Sequence, residues 1–144
     1  IAALSATRLN FERLMASPGS AKFQAMISKA TKLCESGKGG DLMRVEFPFP
    51  TWMTADAYLE KYGEANRYDW ISFSDSIKVP TLLMFGEKEL DENSAFDGMR
   101  DVVTDLATRM PNYTLNIVDG ADHFYSFQYK LVRLAVEGWI DNAG

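Results

Sequence analysis

The stretch VPTLLMFG, residues 79–86, is a nearly continuous apolar run with a proline near its start and a glycine at its end. Such a run is typical of a strand buried on both faces of a parallel sheet. Further along, residues 94–110 have apolar residues at helical spacing, YTLNIV (113–118) alternates as a strand does, and residues 126–140 are again helical in pattern. This strand–helix–strand–helix order predicts an α/β fold with parallel strands joined by right-handed crossovers.

The first half of the chain lacks this alternation. IAALSA (1–6) is a short apolar run, which we interpret as the end of a core strand. Residues 7–76 contain apolar helical patterns, and an aromatic stretch at 41–53 whose prolines argue against a central strand. We therefore predict three segments: a strand end at 1–6, a helical insertion at 7–76 and an α/β core at 77–144.

Composition excludes several classes of function. The chain of 144 residues has a formal net charge of −5 and no basic run, which argues against a nucleic-acid partner. No apolar run approaches the ~20 residues of a membrane span. The single cysteine fits a reducing compartment, so we expect a cytoplasmic protein. One histidine and one cysteine, far apart, argue against a metal site, and no cofactor is expected.

The only histidine, His123, lies in GADHFY (120–125), just after the second predicted strand. Glu89 lies three residues after the end of the first, in the acidic segment EKELDEN (87–93). Carboxyl ends of neighbouring parallel strands lie side by side, so these two side chains should come within reach of each other. A carboxylate that accepts the Nδ1–H of an imidazole fixes its tautomer and stabilises the imidazolium. Asp91, in the same segment, is the alternative acid.

Two of these stretches carry a resemblance to a known family. IKVPTLLMFGEKEL (77–90) resembles the strand and loop that deliver the acid in α/β-hydrolases, and DGADHFY (119–125) resembles their histidine loop. The order, acid before histidine, matches the family as well. The resemblance implies that Glu89 is the acid and His123 the base; the family usually has aspartate at the acid position, which leaves Asp91 open.

The same resemblance implies roles for the rest of the chain. IAALSA is similar to the strand that follows the nucleophile helix, and residues 7–76 occupy the place of the family's lid. The fold expected is therefore the C-terminal part of an α/β-hydrolase fold, with a few parallel strands flanked by helices and a helical lid. Four aromatic residues are expected to contact substrate: Trp52, Tyr58, Trp70 and Phe124.

The chain departs from the family at the nucleophile. It contains no G-x-S-x-G, and Ser5 in ALSAT has no glycines beside it to permit the strained turn of a nucleophile elbow. We expect part of a serine hydrolase that acts on a small ester or related acyl substrate and is inactive without the half that carries the serine. The alternative is a noncatalytic binding or assembly module derived from the same fold. In either case the apolar strand edge at residues 1–6 predicts self-association or pairing with an N-terminal half.

Overall fold

The structure is a computed structural model that describes residues 1–142. The chain divides into two compact units, one formed by Ile1–Arg8 with the chain from Phe73 onward, the other by Leu9–Ser72. In chain order the elements are β1 (Ala2–Leu4), α1 (Phe11–Ala16), α2 (Ser20–Glu35), β2 (Leu42–Val45), β3 (Thr51–Thr54), α3 (Ala55–Tyr62), a 3₁₀ helix (Trp70–Ser76), β4 (Thr81–Gly86), α4 (Glu87–Glu92), a 3₁₀ turn (Ser94–Phe96), α5 (Met99–Arg109), β5 (Tyr113–Val118) and α6 (Tyr129–Asn142).

The first unit is built on a three-stranded parallel sheet in the order β1-β4-β5. All six residues of β4 are buried, as expected for the central strand that the run at 79–86 predicted. Leu4 pairs with Met84 in register, and Gly86 pairs with Val118. The carboxyl ends of all three strands therefore lie at one edge of the sheet, which confirms the predicted α/β class.

Helices pack on this sheet through the apolar stripes of the sequence. Leu82, Met84 and Val118 form a buried cluster against which Val132 and Val136 of α6 pack. Successive side chains of a strand point to opposite faces, and the ring of Phe85, the residue after Met84, lies 6.2 Å, centroid to centroid, from that of Phe96.

 Phe85 therefore points away from the α6 side of the sheet and makes an edge-to-face contact with Phe96. Helix α5 buries Met99, Val103 and Leu106.

The second unit has its own core and contains strands as well as helices. Phe23 and Ala30 of α2 pack with Val45 of β2 and with Tyr58 and Tyr62 of α3. The segment 41–53, predicted to be irregular, forms an antiparallel hairpin of β2 and β3. Its two prolines lie between the strands, where they remove no N–H from the hairpin ladder. The prediction of an irregular segment was therefore wrong for this stretch of the helical insertion, and a lid role for the unit stays a prediction.

Among the described residues, no helix is both long and apolar enough to cross a membrane.

Candidate functional site

Three segments of the first unit meet at the carboxyl edge of its sheet: Ser5 after β1, α4 after β4, and the loop after β5. The Lys88 N–H donates to the Ala121 carbonyl (3.0 Å), and the Gly120 N–H donates to the Glu87 carboxylate (2.9 Å). Gly86 permits this approach, because a Cβ built on it would overlap the carbonyl oxygens of Ala121 and Asp122. The start of α4 and the loop after β5 are thus joined by hydrogen bonds directly beside the site.

The acidic segment that sequence reasoning treated as a loop begins with a helix, α4, and this corrects the predicted local structure. Glu89 is the third residue of that helix, and its carboxylate accepts the N–H of Gly86, the N-cap residue, at 3.0 Å. A carboxylate in the first turn is favoured by the helix dipole and satisfies an otherwise unpaired N–H. The Glu89 side chain is fully buried as a result.

Glu89 and His123 are in contact. The distance from His123 Nδ1 to Glu89 Oε1 is 2.6 Å, and the histidine side chain remains 40% exposed. The imidazole also lies between two phenylalanine rings, 5.7 Å from Phe96 and 5.0 Å from Phe124, centroid to centroid. One side of the ring is therefore anchored to a buried acid while part of it stays open to solvent.

This geometry specifies what the imidazole can do. A carboxylate can only accept a hydrogen bond, so the proton between the two groups belongs to Nδ1 of the histidine. In the neutral ring Nε2 then carries a lone pair and can take up a proton. A buried carboxylate beside Nδ1 would stabilise the imidazolium formed in that step.

Two hydroxyl groups that sequence reasoning did not place in the site complete the network around Glu89. Ser5 Oγ lies 2.8 Å from Glu89 Oε2 and 3.0 Å from the hydroxyl of Tyr125. The Tyr125 hydroxyl donates to the Met84 carbonyl at 2.9 Å. The signal that could have found Ser5 is its position one residue after a strand parallel to β4, at the same sheet edge as Glu89.

The histidine loop is held by hydrogen bonds from its backbone to the side chain of Asp122. The Asp122 carboxylate accepts the N–H groups of Phe124 (2.9 Å) and Ser126 (3.0 Å). The hydrogen bonds from Ser126 are the main cause that lowers the pKa of Asp122. Tyr125 adopts a left-handed φ of 53°, which turns the chain sharply after His123.

The alternative acid, Asp91, has a different partner. Its carboxylate accepts two hydrogen bonds from the Arg100 guanidinium, at 2.8 and 3.0 Å, on the exposed side of α4. Since Glu89 occupies the position beside His123, the structure assigns Asp91 to a surface ion pair.

The four aromatic residues predicted to contact substrate belong to different units, Phe124 to the first and the other three to the second. Phe124 is 76% exposed and lies beside His123. Tyr58 is fully buried in the core of the second unit, where its hydroxyl donates to the Phe47 carbonyl, so it is a packing residue rather than a surface for substrate. Trp52 is exposed on β3, and Trp70 is half-buried at the start of the 3₁₀ helix, both in the second unit.

Each of the two units has a concavity. One, of about 570 Å³, belongs to the second unit and is lined by residues of α1 such as Phe11 and Met15. The other, of about 480 Å³, lies between β5 and α6 and is lined by Asn116 and Trp139 among others. His123 lines neither of them.

No group of three or more histidine, cysteine, aspartate or glutamate side chains suited to a metal ion occurs in the part of the chain that the structure describes.

Comparisons of the chain with protein-family models, with curated proteins and with solved structures gave no match. The geometry at the carboxyl edge of the sheet is therefore the basis for a functional proposal.

Proposed function

We propose that this chain supplies the acid and the general base of a serine hydrolase that acts on an ester or a related acyl bond. The observation that carries the proposal is the 2.6 Å contact between Glu89 Oε1 and His123 Nδ1. This contact leaves Nε2 as the basic atom of the only histidine in the chain. The resemblance of residues 77–90 and 119–125 to α/β-hydrolases supports the same assignment.

In the proposed reaction, Nε2 of His123 accepts the hydroxyl proton of a serine while that oxygen attacks the acyl carbonyl. The tetrahedral intermediate collapses as the imidazolium returns the proton to the leaving alcohol. A water molecule, activated by the same nitrogen, then releases the acid and restores the serine. Glu89 orients the ring and stabilises its charged form throughout.

The nucleophile must come from outside the hydrogen-bonded network. The network around Glu89 contains one serine hydroxyl among the described residues, that of Ser5, and it contacts the carboxylate of Glu89. A serine whose proton goes to the acid is not positioned for activation by Nε2. We therefore propose that the serine stands on a segment other than residues 1–144, either of the same polypeptide or of a partner.

The test uses the protein encoded by the complete reading frame that contains residues 1–144. Its turnover of 4-nitrophenyl acetate is compared with that of His123→Ala, and with that of Asp91→Asn as the control. The proposal expects turnover in the parent protein, a loss of at least about a thousandfold in His123→Ala, and little change in the control. Turnover that survives in His123→Ala would contradict the proposal, and a protein without turnover would favour a noncatalytic module.

A further inference from the structure

The acid of the pair is itself held in place from its far side. Glu89 Oε1 contacts His123, whereas Oε2 contacts Ser5 Oγ at 2.8 Å and the Gly86 N–H at 3.0 Å. Both oxygens of the buried carboxylate are thus occupied. A buried carboxylate with partners on both oxygens has little freedom to rotate, so the contacts on Oε2 fix the direction of Oε1.

Counting protons gives the direction of each hydrogen bond. A carbonyl cannot donate, so the proton between Tyr125 and Met84 belongs to the tyrosine. Burial raises the pKa of Tyr125, and the phenol therefore keeps that proton at neutral pH. Ser5 has one hydroxyl proton and three neighbours that could accept it: Glu89 Oε2 at 2.8 Å, the Tyr125 oxygen at 3.0 Å and the His123 carbonyl at 3.5 Å. Because a hydrogen bond to a carboxylate is the stronger one, the serine proton goes to Glu89.

The backbone of Ser5 is strained in a way that serves this contact. Its φ is 48°, a left-handed conformation that is uncommon for residues other than glycine. Its N–H donates to the Met84 carbonyl (2.9 Å), the same oxygen that receives the Tyr125 hydroxyl. Met84 of the central strand thus fixes the backbone of Ser5 and the ring of Tyr125 together. Strain of this kind persists only where the surroundings determine it, and it is common at functional sites.

We propose that Ser5 and Tyr125 are positioning residues that aim Glu89 at His123. Ser5 donates to Oε2 and holds the carboxylate. The Tyr125 hydroxyl lies 2.9 Å from the Met84 carbonyl and 3.0 Å from Ser5 Oγ, so it shares its proton between these two acceptors and confines the serine from its other side. Neither residue reacts with substrate in this role. Its importance for catalysis rests on the proposed function, but the hydrogen-bond claim itself can be tested in residues 1–144 alone.

The test is nuclear magnetic resonance of the imidazole, with the chain labelled with ¹⁵N-histidine. His123 is the only histidine, so its two ring nitrogens and its Nδ1–H give unambiguous signals. The measured quantities are the tautomer of the neutral ring and the rate at which Nδ1–H exchanges with water. In the parent chain we expect the Nδ1–H tautomer and a slowly exchanging proton.

Two substitutions at Ser5 separate the hydroxyl from the backbone. Ser5→Ala removes the hydroxyl and keeps the strained φ, whereas Ser5→Gly removes it and relieves the strain. The proposal expects both to speed exchange of Nδ1–H by about tenfold and to weaken the tautomer preference. An unchanged exchange rate in both variants would overturn the proposal, because the hydroxyl would then have no effect on Nδ1–H. A change in the alanine variant only would also overturn it, because the strained backbone and not the hydroxyl would then be responsible.

Tyr125→Phe removes the second hydroxyl, and Tyr113→Phe is its matched control. Tyr113 is also a buried tyrosine that donates to a main-chain carbonyl, that of Ser74 at 2.9 Å, but it lies at the amino end of β5. The proposal expects faster exchange in Tyr125→Phe and the parent rate in Tyr113→Phe. Equal effects of the two would mean that any loosening of the unit releases the proton, which would overturn the proposal. If Tyr125→Phe does not fold, the glycine variant of Ser5 decides.

A failure of this proposal is distinguishable from a failure of the proposed function. The exchange and tautomer measurements need no substrate and no nucleophile. A chain in which Ser5 controls the Nδ1–H of His123, but whose complete protein hydrolyses no ester, retains the positioning network and lacks the activity.

Discussion

At the scale of single residues, Glu89 is the most constrained group of the site. Burying a charge is costly unless it is paired and hydrogen-bonded, and Glu89 meets that condition with donors from Gly86, Ser5 and His123. In the described part of the chain, no buried side-chain nitrogen or oxygen lacks a hydrogen-bond partner. The stability of this edge of the sheet therefore depends on the carboxylate as well as on apolar packing.

We expect Glu89→Gln to lower the free energy of unfolding by about 2 kcal/mol, because the amide presents an NH₂ group to donors that need an acceptor. Asp91→Asn, at the exposed ion pair with Arg100, is the control and should change it by less than about 0.5 kcal/mol. Urea unfolding of both variants measures the difference. Equal effects, or a larger effect at Asp91, would contradict the assignment of Glu89 as the buried acid.

Asp122 gives the histidine loop a dependence on pH. Hydrogen bonds, above all from Ser126, hold the pKa of the Asp122 carboxyl below its ordinary value, so the contribution of this carboxylate to loop stability is fully present above that ordinary value. The contribution is lost as the pH falls from the ordinary pKa of an aspartate through the lower pKa of the folded state. We expect the amide signals of Phe124 and Ser126 to shift in this acidic window. In Asp122→Asn, which keeps an acceptor oxygen but no charge, the shift should be absent; its persistence there would show that another group is responsible.

The positions of His123 and Glu89 were predictable because each follows a strand that the sequence makes evident. The choice between Glu89 and Asp91 was not, since it depends on the helical turn of α4, which directs the third residue inward and the fifth toward Arg100. The position of Ser5 after β1 places it at this sheet edge, but the direction of its hydroxyl was not predictable, because its left-handed backbone has no signal in ALSAT.

At the scale of elements, β1 is one of the two edge strands of the sheet, the other being β5. Ile1 O accepts from the Leu82 N–H, and the Ser5 N–H donates to Met84 O, so the odd-numbered residues of this segment pair with β4. The backbone N–H and C=O groups of Ala2 and Leu4 consequently point away from β4. On that outer side of β1 the described residues supply no strand. Ile1 and Leu4 are also exposed side chains. An apolar edge of this kind favours pairing with another chain.

Two proline substitutions test this edge. Ala2→Pro removes an N–H that points outward and should reduce self-association of residues 1–144 with little loss of stability. Ala3→Pro removes an N–H that points to β4 and should destabilise the unit by about 3 kcal/mol. Sedimentation velocity measures the association, and urea unfolding measures the stability. If the parent chain is a monomer, or if Ala2→Pro associates as strongly as the parent, the edge is not the interface.

The elements differ in how well the sequence specifies them. β4 and β5 were predictable, since a buried apolar run and an alternating run have few other interpretations. Helix α3 was also predictable, because Thr54 caps it and its hydroxyl accepts the Ala57 N–H. The β2–β3 hairpin was not, because prolines that argue against a central strand are compatible with the connection of a two-stranded hairpin.

At the scale of the whole molecule, the chain has two units with separate cores. The second unit comprises Leu9–Ser72, and the loss of strand–helix alternation in the sequence predicts an insertion at 7–76. The candidate site lies entirely in the first unit, since Ser5, Glu89, His123 and Tyr125 all belong to it. What the second unit does for that site is not specified by a hydrophobic pattern, which encodes packing within a unit and carries no information on a substrate.

The central claim is that His123, oriented by Glu89, activates a serine. The measurement that tests it most directly is the rate at which a fluorophosphonate labels the protein of the complete reading frame, with the labelled residue located by mass spectrometry. We predict one labelled serine outside residues 1–144 and a rate at least about a thousandfold lower in His123→Ala. A labelling rate unaffected by His123→Ala, or an adduct on Ser5, would contradict the account.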